Sequence, residues 1–315
     1  MFRQRRCSPL PGSRPAGQPQ RRSDTVSASS APRAPGPSTG WAVARPHPVL
    51  RPLVARYVGY TRHAVPLTVH RGLPSRHVTL VIVVDAPVRM LGGPTPDGGP
   101  MTVRTGASGL HLGPALIRQD SHQRGLSLLH PLGVRALLGV SAAELARTTV
   151  EAADLPVPWG GRLADRLAEA ATWTEAFAVL DEELAAAVRP ARSAPEIHRA
   201  WRALLASGGT RPVAAIAAEV GWSRRHLTER FAREVGVPPK QAARLMRFER
   251  SVAAIRAGGH HALATVAADC GYDDQAHLTN EWRTLVGCSP TVWIREELPF
   301  LQDPFAEVGH DPGHE

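Results

Sequence analysis

The chain has 315 residues, and its 37 lysine and arginine residues outnumber its 28 aspartate and glutamate residues, which gives a net charge of +9. This length suffices for two domains with separate hydrophobic cores. Its three scattered cysteines exclude a disulfide framework or a cysteine-rich zinc site, and no apolar run reaches the roughly 20 residues of a membrane span. We therefore expect a protein of the reducing cytoplasm with no membrane partner.

Residues 1–40 consist mainly of proline, serine, glycine and arginine, with seven arginines and one acidic residue, Asp24. A segment with so few large apolar side chains cannot offset the entropy cost of ordering, so we predict a disordered tail. The arginines could add non-specific attraction to DNA. A dispensable tail is the simpler interpretation.

The pattern of residues 41–155 predicts a β-rich domain. The β-branched run 78–84 is typical of a buried strand, and glycine and proline predict an exposed loop over residues 92–100. Shorter candidate strands lie at 88–91, 101–104, 109–112, 115–118 and 126–129. Closely spaced short strands indicate a small barrel or sandwich, whose concave interior could hold a small ligand.

Helices are predicted after residue 131, and residues 156–206 form a helical connector. A serine or threonine followed three residues later by a glutamate indicates a helix start at Ser141, Thr172 and Ser193. Apolar residues at helical spacing predict helices at 162–171, 173–188 and 195–206.

One face of the second of these helices carries Leu180, Leu184 and Val188. These side chains could form a dimer seam or pack on the strands, and we favour packing. The segment Ser207-Gly208-Gly209-Thr210 is typical of a short hinge into the last domain.

Residues 211–295 contain one pattern twice, at 217–231 and, with an offset of 50 residues, at 267–282. In each copy a small residue precedes a glycine by four positions, an aromatic residue follows the glycine, and a leucine and an aromatic residue four apart come next. This pattern predicts two short helices joined by a glycine turn, and its repetition argues against a chance match.

Each position of the repeat has a physical reason. The small residue lets two helices cross closely, the glycine takes the left-handed conformation that turns the chain, and the leucine and aromatic residue pack inward. These core positions are Ala217, Gly221, Leu227 and Phe231 in the first copy and Ala267, Gly271, Leu278 and Trp282 in the second.

The outward positions of the second helix in each copy are those that a recognition helix presents to base edges. They are Arg224, Arg225, His226, Thr228 and Glu229 in the first copy, and Gln275, Ala276, His277, Thr279 and Asn280 in the second. The alternative is a helical hairpin that only forms part of a core, and it would need the same inward residues. Only the outward residues can therefore distinguish DNA binding from a purely structural role.

A helix is predicted between the copies, from Pro239 to Arg256, because proline favours a helix start and Gly258-Gly259 favours a stop. At about 1.5 Å per residue, its 18 residues span about 27 Å. Successive major grooves on one face of B-DNA lie about 34 Å apart. The linker therefore has a length that suits two recognition helices in adjacent grooves.

Residues 211–293 resemble the DNA-binding domain of the AraC/XylS family of bacterial transcription regulators. Besides the two copies and the arginine-bearing linker, the matching stretches are Gly236-Val237-Pro238-Pro239, Gly271-Tyr272-Asp273-Asp274-Gln275 and Gly287-Cys288-Ser289-Pro290. The stretch 131–139 resembles, less closely, the sensor half of one branch of that family.

The resemblance implies an α+β chain. An N-terminal cupin-like β-barrel sensor domain (41–155) with a helical extension (156–206) would precede an all-α DNA-binding domain (211–295) with two helix-turn-helix units. An acidic tail would follow over 296–315.

The histidines of the β-rich domain lack metal-binding spacing. Metal-dependent cupins carry an H-x-H pair, and the nearest match here, His111-Leu112-Gly113, lacks the second imidazole. The other histidines, which are scattered, are His63, His70, His77, His122 and His130. We therefore predict no metal, no cofactor and no catalytic residue.

Charge is divided unevenly between the two copies. Residues 211–256 carry ten cationic and four acidic side chains, whereas residues 257–300 carry two cationic and six acidic ones. Phosphate neutralisation dominates affinity for DNA, so we predict that the first copy and the linker supply most of it. The second copy, with Asp273, Asp274 and Glu281, would bind weakly or need a partner. Alternatively, the two aspartates cap the helix N-terminus.

These observations favour a sequence-specific DNA-binding transcription regulator whose N-terminal domain senses a small molecule or a partner. The alternative is a cupin-like binding or enzymatic domain whose helix-turn-helix module serves for protein contact. The expected partner is double-stranded DNA. Further candidate partners are a small-molecule effector, RNA polymerase and a second copy of the chain in a homodimer.

Overall fold

The computed structural model describes residues 38–63, 69–95, 97–118, 122–124, 127–191, 193–258 and 262–298. The predicted tails therefore lie almost entirely outside the described residues. Strands dominate up to residue 151 and helices follow, which confirms the predicted order of a β-rich region and a helical region. Within the described ranges, no helix is both long and apolar enough to cross a membrane.

The strands form two antiparallel sheets. Their bounds are β1 Ser38–Ala44, β2 Val54–His63, β3 Val69–Gly72, β4 Val78–Ile82, β5 Val88–Gly92, β6 Met101–Val103, β7 Thr105–Ser108, β8 Ala115–Arg118, β9 His122–Arg124, β10 Ser127–Leu129 and β11 Thr149–Glu151. The larger sheet has the order β1-β2-β10-β4-β7-β11, with β9 paired to β2, and the smaller has the order β3-β8-β5-β6. Alternate residues of β4 and β5 are buried, as a sheet with one core-facing side requires.

The predicted strand at 109–112 is wrong. The N–H of Gly109 donates to the carbonyl of Thr148, and the carbonyl of Leu110 accepts from the N–H of Arg147, both at 3.0 Å. These backbone groups bond a turn instead of a neighbouring strand, so the sheet ends at Ser108.

Residues 93–95 and 97–100 form a loop, as predicted, but part of it is buried. Thr95 is 4% exposed, and its hydroxyl donates to the carbonyl of Gly99 at 2.8 Å. The carbonyl of Pro94 accepts from the buried hydroxyl of Thr149 at 2.6 Å. The loop therefore folds back onto the larger sheet.

Ten α-helices lie within the described residues. Their bounds are α1 Val134–Leu138, α2 Leu163–Ala168, α3 Trp173–Ala187, α4 Pro195–Ala206, α5 Val213–Glu219, α6 Arg224–Val235, α7 Pro239–Arg256, α8 Leu263–Asp269, α9 Gln275–Val286 and α10 Pro290–Glu296. The linker helix α7 has the predicted start and end. Leu180 and Leu184 of α3 are buried, which confirms that this face packs inward, whereas Val188 after the helix is 39% exposed.

Only one of the three predicted helix-start boxes caps a helix. Thr172 caps α3 in a reciprocal pair with Glu175. Ser141 and Glu144 bond each other reciprocally, but turns follow them. The box at Ser193 is wrong, because Pro195 occupies the first position of α4 and shifts the N-cap to Ala194.

A continuous hydrophobic core joins the β-rich and helical regions. Trp201 of α4 stacks on Phe231 of α6, with ring centroids 6.0 Å apart. Gly209, after α4, has a φ of 77°, and a Cβ there would overlap the carbonyl of Ala243 in α7. The segment 207–210 is therefore a tight packed turn rather than an open hinge.

Candidate nucleic-acid interface

Two helix-turn-helix units with the same backbone geometry follow α4. α5 and α6 form the first unit, and α8 and α9 form the second. Gly221 and Gly271 turn the chain with φ of 78° and 76°. In both units, the N–H of the aromatic residue after the glycine donates to the carbonyl of the small residue. The pairs are Trp222 with Ala217 and Tyr272 with Ala267, both at 2.9 Å.

The predicted core side chains of both units are buried, and the two turn glycines are exposed. The side chains that are at most 1% exposed are Ala217, Leu227, Phe231, Ala267, Leu278 and Trp282. The glycines therefore serve the units through backbone conformation, and the other six residues serve them through packing.

Trp282 fixes the second recognition helix to the linker. Its ring lies edge-on to Phe248 of α7 at 5.2 Å and to Trp293 of α10 at 5.3 Å. Its Nε1–H donates to the buried Ser251 hydroxyl of α7 at 2.9 Å. A shift of α9 along α7 would break this buried hydrogen bond, so the register of the two helices is specified.

Each recognition helix begins with a side-chain cap. The Ser223 hydroxyl accepts from the N–H of His226 at 3.2 Å, and the Asp274 carboxylate accepts from the N–H of His277 at 2.7 Å. Helix α6 begins three residues after its turn glycine and α9 begins four after its own, so the second turn has the predicted extra residue. The capping role foreseen for the two aspartates is thereby confirmed for Asp274, whereas the Asp273 carboxylate lies 3.1 Å from the His277 ring instead.

The outward residues of the first unit lie together on the first two turns of α6. Arg224, Arg225, His226 and Glu229 are exposed, and Thr228 is half-buried with its hydroxyl donating to a helix carbonyl at 2.8 Å. The Arg225 side chain is 89% exposed, and its Nε donates to Glu229 at 2.9 Å. That hydrogen bond and the charge of Arg225 lower the pKa of Glu229.

The outward residues of the second unit occupy the corresponding turns of α9. Gln275, Ala276 and Asn280 are exposed, whereas His277 and Thr279 are half-buried. The Asn280 side-chain oxygen accepts from Arg283 at 3.1 Å. The sequence interpretation missed this arginine, although it lies one turn beyond Asn280 and is an exposed cation on this face.

Both units also hold an aromatic–histidine pair that the sequence interpretation missed. Trp222 lies edge-on to His226 with ring centroids 4.6 Å apart, and Tyr272 lies edge-on to His277 at 5.3 Å. In each unit the aromatic residue after the turn glycine therefore contacts the first turn of the recognition helix. The signal in the sequence was an aromatic residue and a histidine at similar spacing in both copies.

Three linker arginines bond the protein itself. Arg244 donates to Glu281 at 3.0 Å, and Arg250 donates to the carbonyl of Asp269 at 2.6 Å. Arg247 donates to the carbonyl of Gly209 at 3.2 Å and lies over the Tyr272 ring. Glu281 therefore neutralises Arg244, whereas the carbonyl bonds fix the positions of Arg247 and Arg250 and leave their charges in place.

The histidines of the β-rich region bond neighbouring protein groups. The His70 ring lies 3.0 Å from Glu297, the His77 ring lies 3.1 Å from Ser75, and the His111 ring lies 2.5 Å from the carbonyl of Gly113. The side chains of His63 and His122 lie outside the described part. Among the described side chains, no group of three or more histidine, cysteine, aspartate or glutamate residues could hold a metal ion.

A family model described as a helix-turn-helix domain matches residues 216–296. In structure, the chain is similar to the C-terminal domain of AraT, a response regulator from Geobacillus stearothermophilus, with 18% identity over 39% of this chain and 100% of that chain and a TM-score of 0.32. It is also similar to ToxT from Vibrio cholerae, with 11% identity over 82% of this chain and 98% of that chain and a TM-score of 0.46. TM-scores this low support no inference about this chain. No curated protein matches the sequence.

Proposed function

We propose that residues 216–296, which match a helix-turn-helix domain, form an AraC-type DNA-binding domain and that the chain is a sequence-specific DNA-binding transcription regulator. Helices α6 and α9 would enter successive major grooves with their N-terminal turns toward the bases. The observation that carries this proposal is the pairing of exposed polar first turns with fully buried anchors in both helices.

The linker supports the use of two grooves. Helix α7 has 18 residues and packs against helices of both units. Its length of about 27 Å, at about 1.5 Å per residue, is of the same order as the groove repeat of about 34 Å. One rigid helix could therefore hold both recognition helices against one face of a duplex.

Helices α6 and α9 would contribute differently to DNA binding. Arg224 and Arg225 of α6 can neutralise phosphate or bond guanine, and the amides of Gln275 and Asn280 of α9 suit adenine. Because the guanidinium groups of the three linker arginines described above are directed to protein oxygens, we assign the direct phosphate contacts chiefly to α6 itself, with the linker charges adding attraction at longer range. Helix α9 would then contribute base selection more than affinity.

The β-rich region would sense a signal. Its smaller sheet has a separate small core of Val83, Val88, Met90, Val103 and Ala115. A small molecule or a protein partner that binds these sheets could act on DNA binding through the core shared with the helical region. RNA polymerase and a second copy of the chain are further candidate partners, and the cytoplasm is the expected compartment.

Selection of genomic fragments tests the proposal. The purified full-length chain is mixed with fragments at about 0.15 M salt, because phosphate attraction alone weakens steeply as salt rises. Bound fragments are then sequenced for the wild type, for Arg225→Ala and for Arg199→Ala. Arg199 is a matched control, since it is also exposed and paired within its own helix, with Glu196 at 3.2 Å.

The proposal predicts an enriched motif of two blocks about 10 base pairs apart, retained with Arg199→Ala and lost with Arg225→Ala. Retention of fragments without any shared motif would contradict sequence-specific binding. An identical motif and yield for both variants would contradict the role of α6.

A further inference from the structure

The β-rich region contacts the C-terminal ends of both recognition helices. Helix α6 ends at Gly236, where a Cβ would lie 2.6 Å from the carbonyl oxygen of Ala142 and 3.3 Å from the Cβ of Ala146. Helix α9 ends at Gly287, where a Cβ would lie 3.5 Å from the Cγ of Pro114. Both glycines have left-handed φ, so each contact falls at a helix cap.

The two segments that make these contacts, 109–114 and 141–148, are bonded to each other, and we call them together the brace. The hydrogen bonds described above join Gly109 to Thr148 and Leu110 to Arg147. A Cβ at Gly109 would overlap the carbonyl of Leu145, so the two segments also pack without a gap. One connected unit therefore packs against the cap of α6 and lies beside the cap of α9.

The brace has internal features that hold its shape. Ser141 and Glu144 bond each other reciprocally in one segment. The ring of His111 bonds the carbonyl of Gly113 in the other segment. Leu110 and Leu145 are at most 1% exposed. A segment with these buried contacts transmits a displacement instead of absorbing it.

From this geometry we infer that the brace sets the mutual position of α6 and α9 and thereby the spacing of DNA blocks that the chain prefers. The inference rests on the proposed function, because it concerns which DNA is bound. Helix α7 packs against helices of both units. The brace adds a second connection at the far ends of the recognition helices, which opposes pivoting about α7.

A second set of contacts joins the β-rich region to the linker helix α7 and to the residue that follows α10. Glu297, fully buried after α10, accepts from the N–H of Arg71 at 3.2 Å and from its guanidinium at 2.8 Å. Glu249 of α7 accepts from the Ser75 hydroxyl at 2.7 Å and from the N–H of Arg76 at 2.9 Å. These contacts hold the β-rich region, and with it the brace, against the helical region.

The brace leaves the DNA-facing ends of the helices clear. It contacts the caps after Val235 and Val286, whereas the outward residues lie on the first turns. The 12 residues of α6 separate the two ends by about 18 Å, at about 1.5 Å per residue. The docked β-rich region therefore positions the recognition helices without covering the side chains that would read DNA.

The test uses Ala146→Glu in the full-length chain. Ala146 is half-buried and faces the cap of α6, so a carboxylate there would separate the brace from the helix. Ala143→Glu is the matched control, because Ala143 lies in the same turn and is exposed. Pro114→Ala, which trims the contact at α9 without adding charge, gives a second variant, and circular dichroism verifies that each variant is folded.

Affinity is measured for duplexes in which the two blocks of the selected motif are moved apart or together by two base pairs. Two base pairs rotate one block by about 70°, since one helical turn takes about 10.5 base pairs. The wild type and Ala143→Glu should lose at least about tenfold on the altered duplexes, and Ala146→Glu should lose less than about threefold. A folded Ala146→Glu protein with the wild-type spacer profile would overturn the inference.

A distance measurement tests the brace without DNA. Spin labels are attached to cysteines introduced by Arg233→Cys on α6 and Thr284→Cys on α9, both at exposed positions. Cys7→Ser removes one native labelling site, and Cys270 and Cys288 are kept because they are buried. Electron resonance should give one narrow distance in the wild type and Ala143→Glu and a broad distribution in Ala146→Glu. An equally narrow distance in Ala146→Glu would overturn the inference. Because this measurement needs no DNA, it tests the brace even if no DNA motif is selected. Failure of the inference can therefore be told apart from failure of the proposed function.

Discussion

Arginines of the helix-turn-helix domain differ in what their guanidinium groups touch. Those of the linker bond carbonyl and carboxylate oxygens inside the protein, whereas Arg225 is 89% exposed and bonds only a neighbouring glutamate among the contacts described. An exposed i,i+4 ion pair of this kind contributes little to stability. Its value lies in presenting a guanidinium at the start of α6.

Charge reversal at Arg225 should cost much more affinity than the corresponding change at Asn280. We expect Arg225→Glu to weaken binding to the selected motif by more than the roughly 1–3 kcal/mol typical of losing one base-contacting arginine, because it also repels phosphate. Asn280→Asp should cost less than Arg225→Glu in the same titration. Equal losses for the two variants would contradict the division of work between α6 and α9.

Two glycines with left-handed φ should differ sharply in their tolerance of alanine. Gly221 has a φ of 78° with open space around it, so Gly221→Ala should cost about 1–2 kcal/mol of backbone strain. At Gly209 the same strain is joined by overlap with the α7 carbonyl. Gly209→Ala should therefore lower the free energy of unfolding in urea by distinctly more, and a smaller loss than at Gly221 would contradict the packed turn.

At the scale of elements, the predictions that rested on local signals were mostly confirmed, including the strands near 78–82, 88–92, 101–103, 115–118 and 127–129, and the errors lie where distant contacts decide the structure. Proline at the start and glycine after the end fixed α7 at its observed bounds. In contrast, β2 was missed. It contains Gly59, a residue that usually disfavours a strand, and the reason for the glycine is distant in sequence: a Cβ there would overlap the ring of Trp173 in α3. Segment 109–112 was predicted as a strand because its pairing with the distant turn 145–148 leaves no local signal.

Substitutions at Asp274 distinguish its role as the N-cap of α9 from the effect of its negative charge on DNA binding. Asparagine caps helices about as well as aspartate, so Asp274→Asn should leave the unfolding free energy nearly unchanged, whereas Asp274→Ala should lower it by about 1 kcal/mol. Removing the negative charge should also tighten DNA binding by Asp274→Asn. Unfolding and DNA titrations of both variants decide the matter, and equal destabilisation by the two would contradict a capping role.

At the scale of the whole molecule, polar contacts across the two regions connect stability to pH. Burial raises the pKa of Glu297, but bonds and charge from His70 and Arg71 outweigh it and leave the pKa below its ordinary 4.5. Burial, together with the charge of Arg76, holds the pKa of His77 well below its ordinary 6.5. In both cases the unfolded chain binds the proton more readily than the folded chain.

Stability should therefore fall with acidification. A group with a depressed pKa in the fold contributes stability that is present above its ordinary pKa and lost as pH falls through the folded value. Thermal unfolding should show a declining Tm below about pH 6.5 from His77 and a further decline below about pH 4.5 from Glu297. Glu297→Gln should be less stable at pH 7 and should show a smaller second decline, because Glu144 and Glu183 also have depressed pKa values and keep part of it. An unchanged second decline would contradict a contribution from Glu297.

The sequence placed the helix-turn-helix units correctly because their inward residues follow local helical spacing. It could not place the contacts that commit Arg244 to Glu281 or Arg250 to the carbonyl of Asp269, since these depend on how α7 meets α8 and α9. The prediction that the first copy and the linker supply most of the affinity for DNA stays a prediction. The contacts between the β-rich region and the caps of α6 and α9 join residues at least 90 positions apart at Gly236 and more than 170 apart at Gly287, which no local pattern encodes.

Guanine methylation interference on the selected motif tests the central claim most directly. Methylation at guanine N7 blocks contacts in the major groove, where both recognition helices would lie. The account predicts two clusters of interfering guanines about 10 base pairs apart on one face of the duplex, with Arg225→Ala removing the effect at one cluster. A single cluster, or interference unrelated to the motif, would contradict the placement of α6 and α9 in adjacent major grooves.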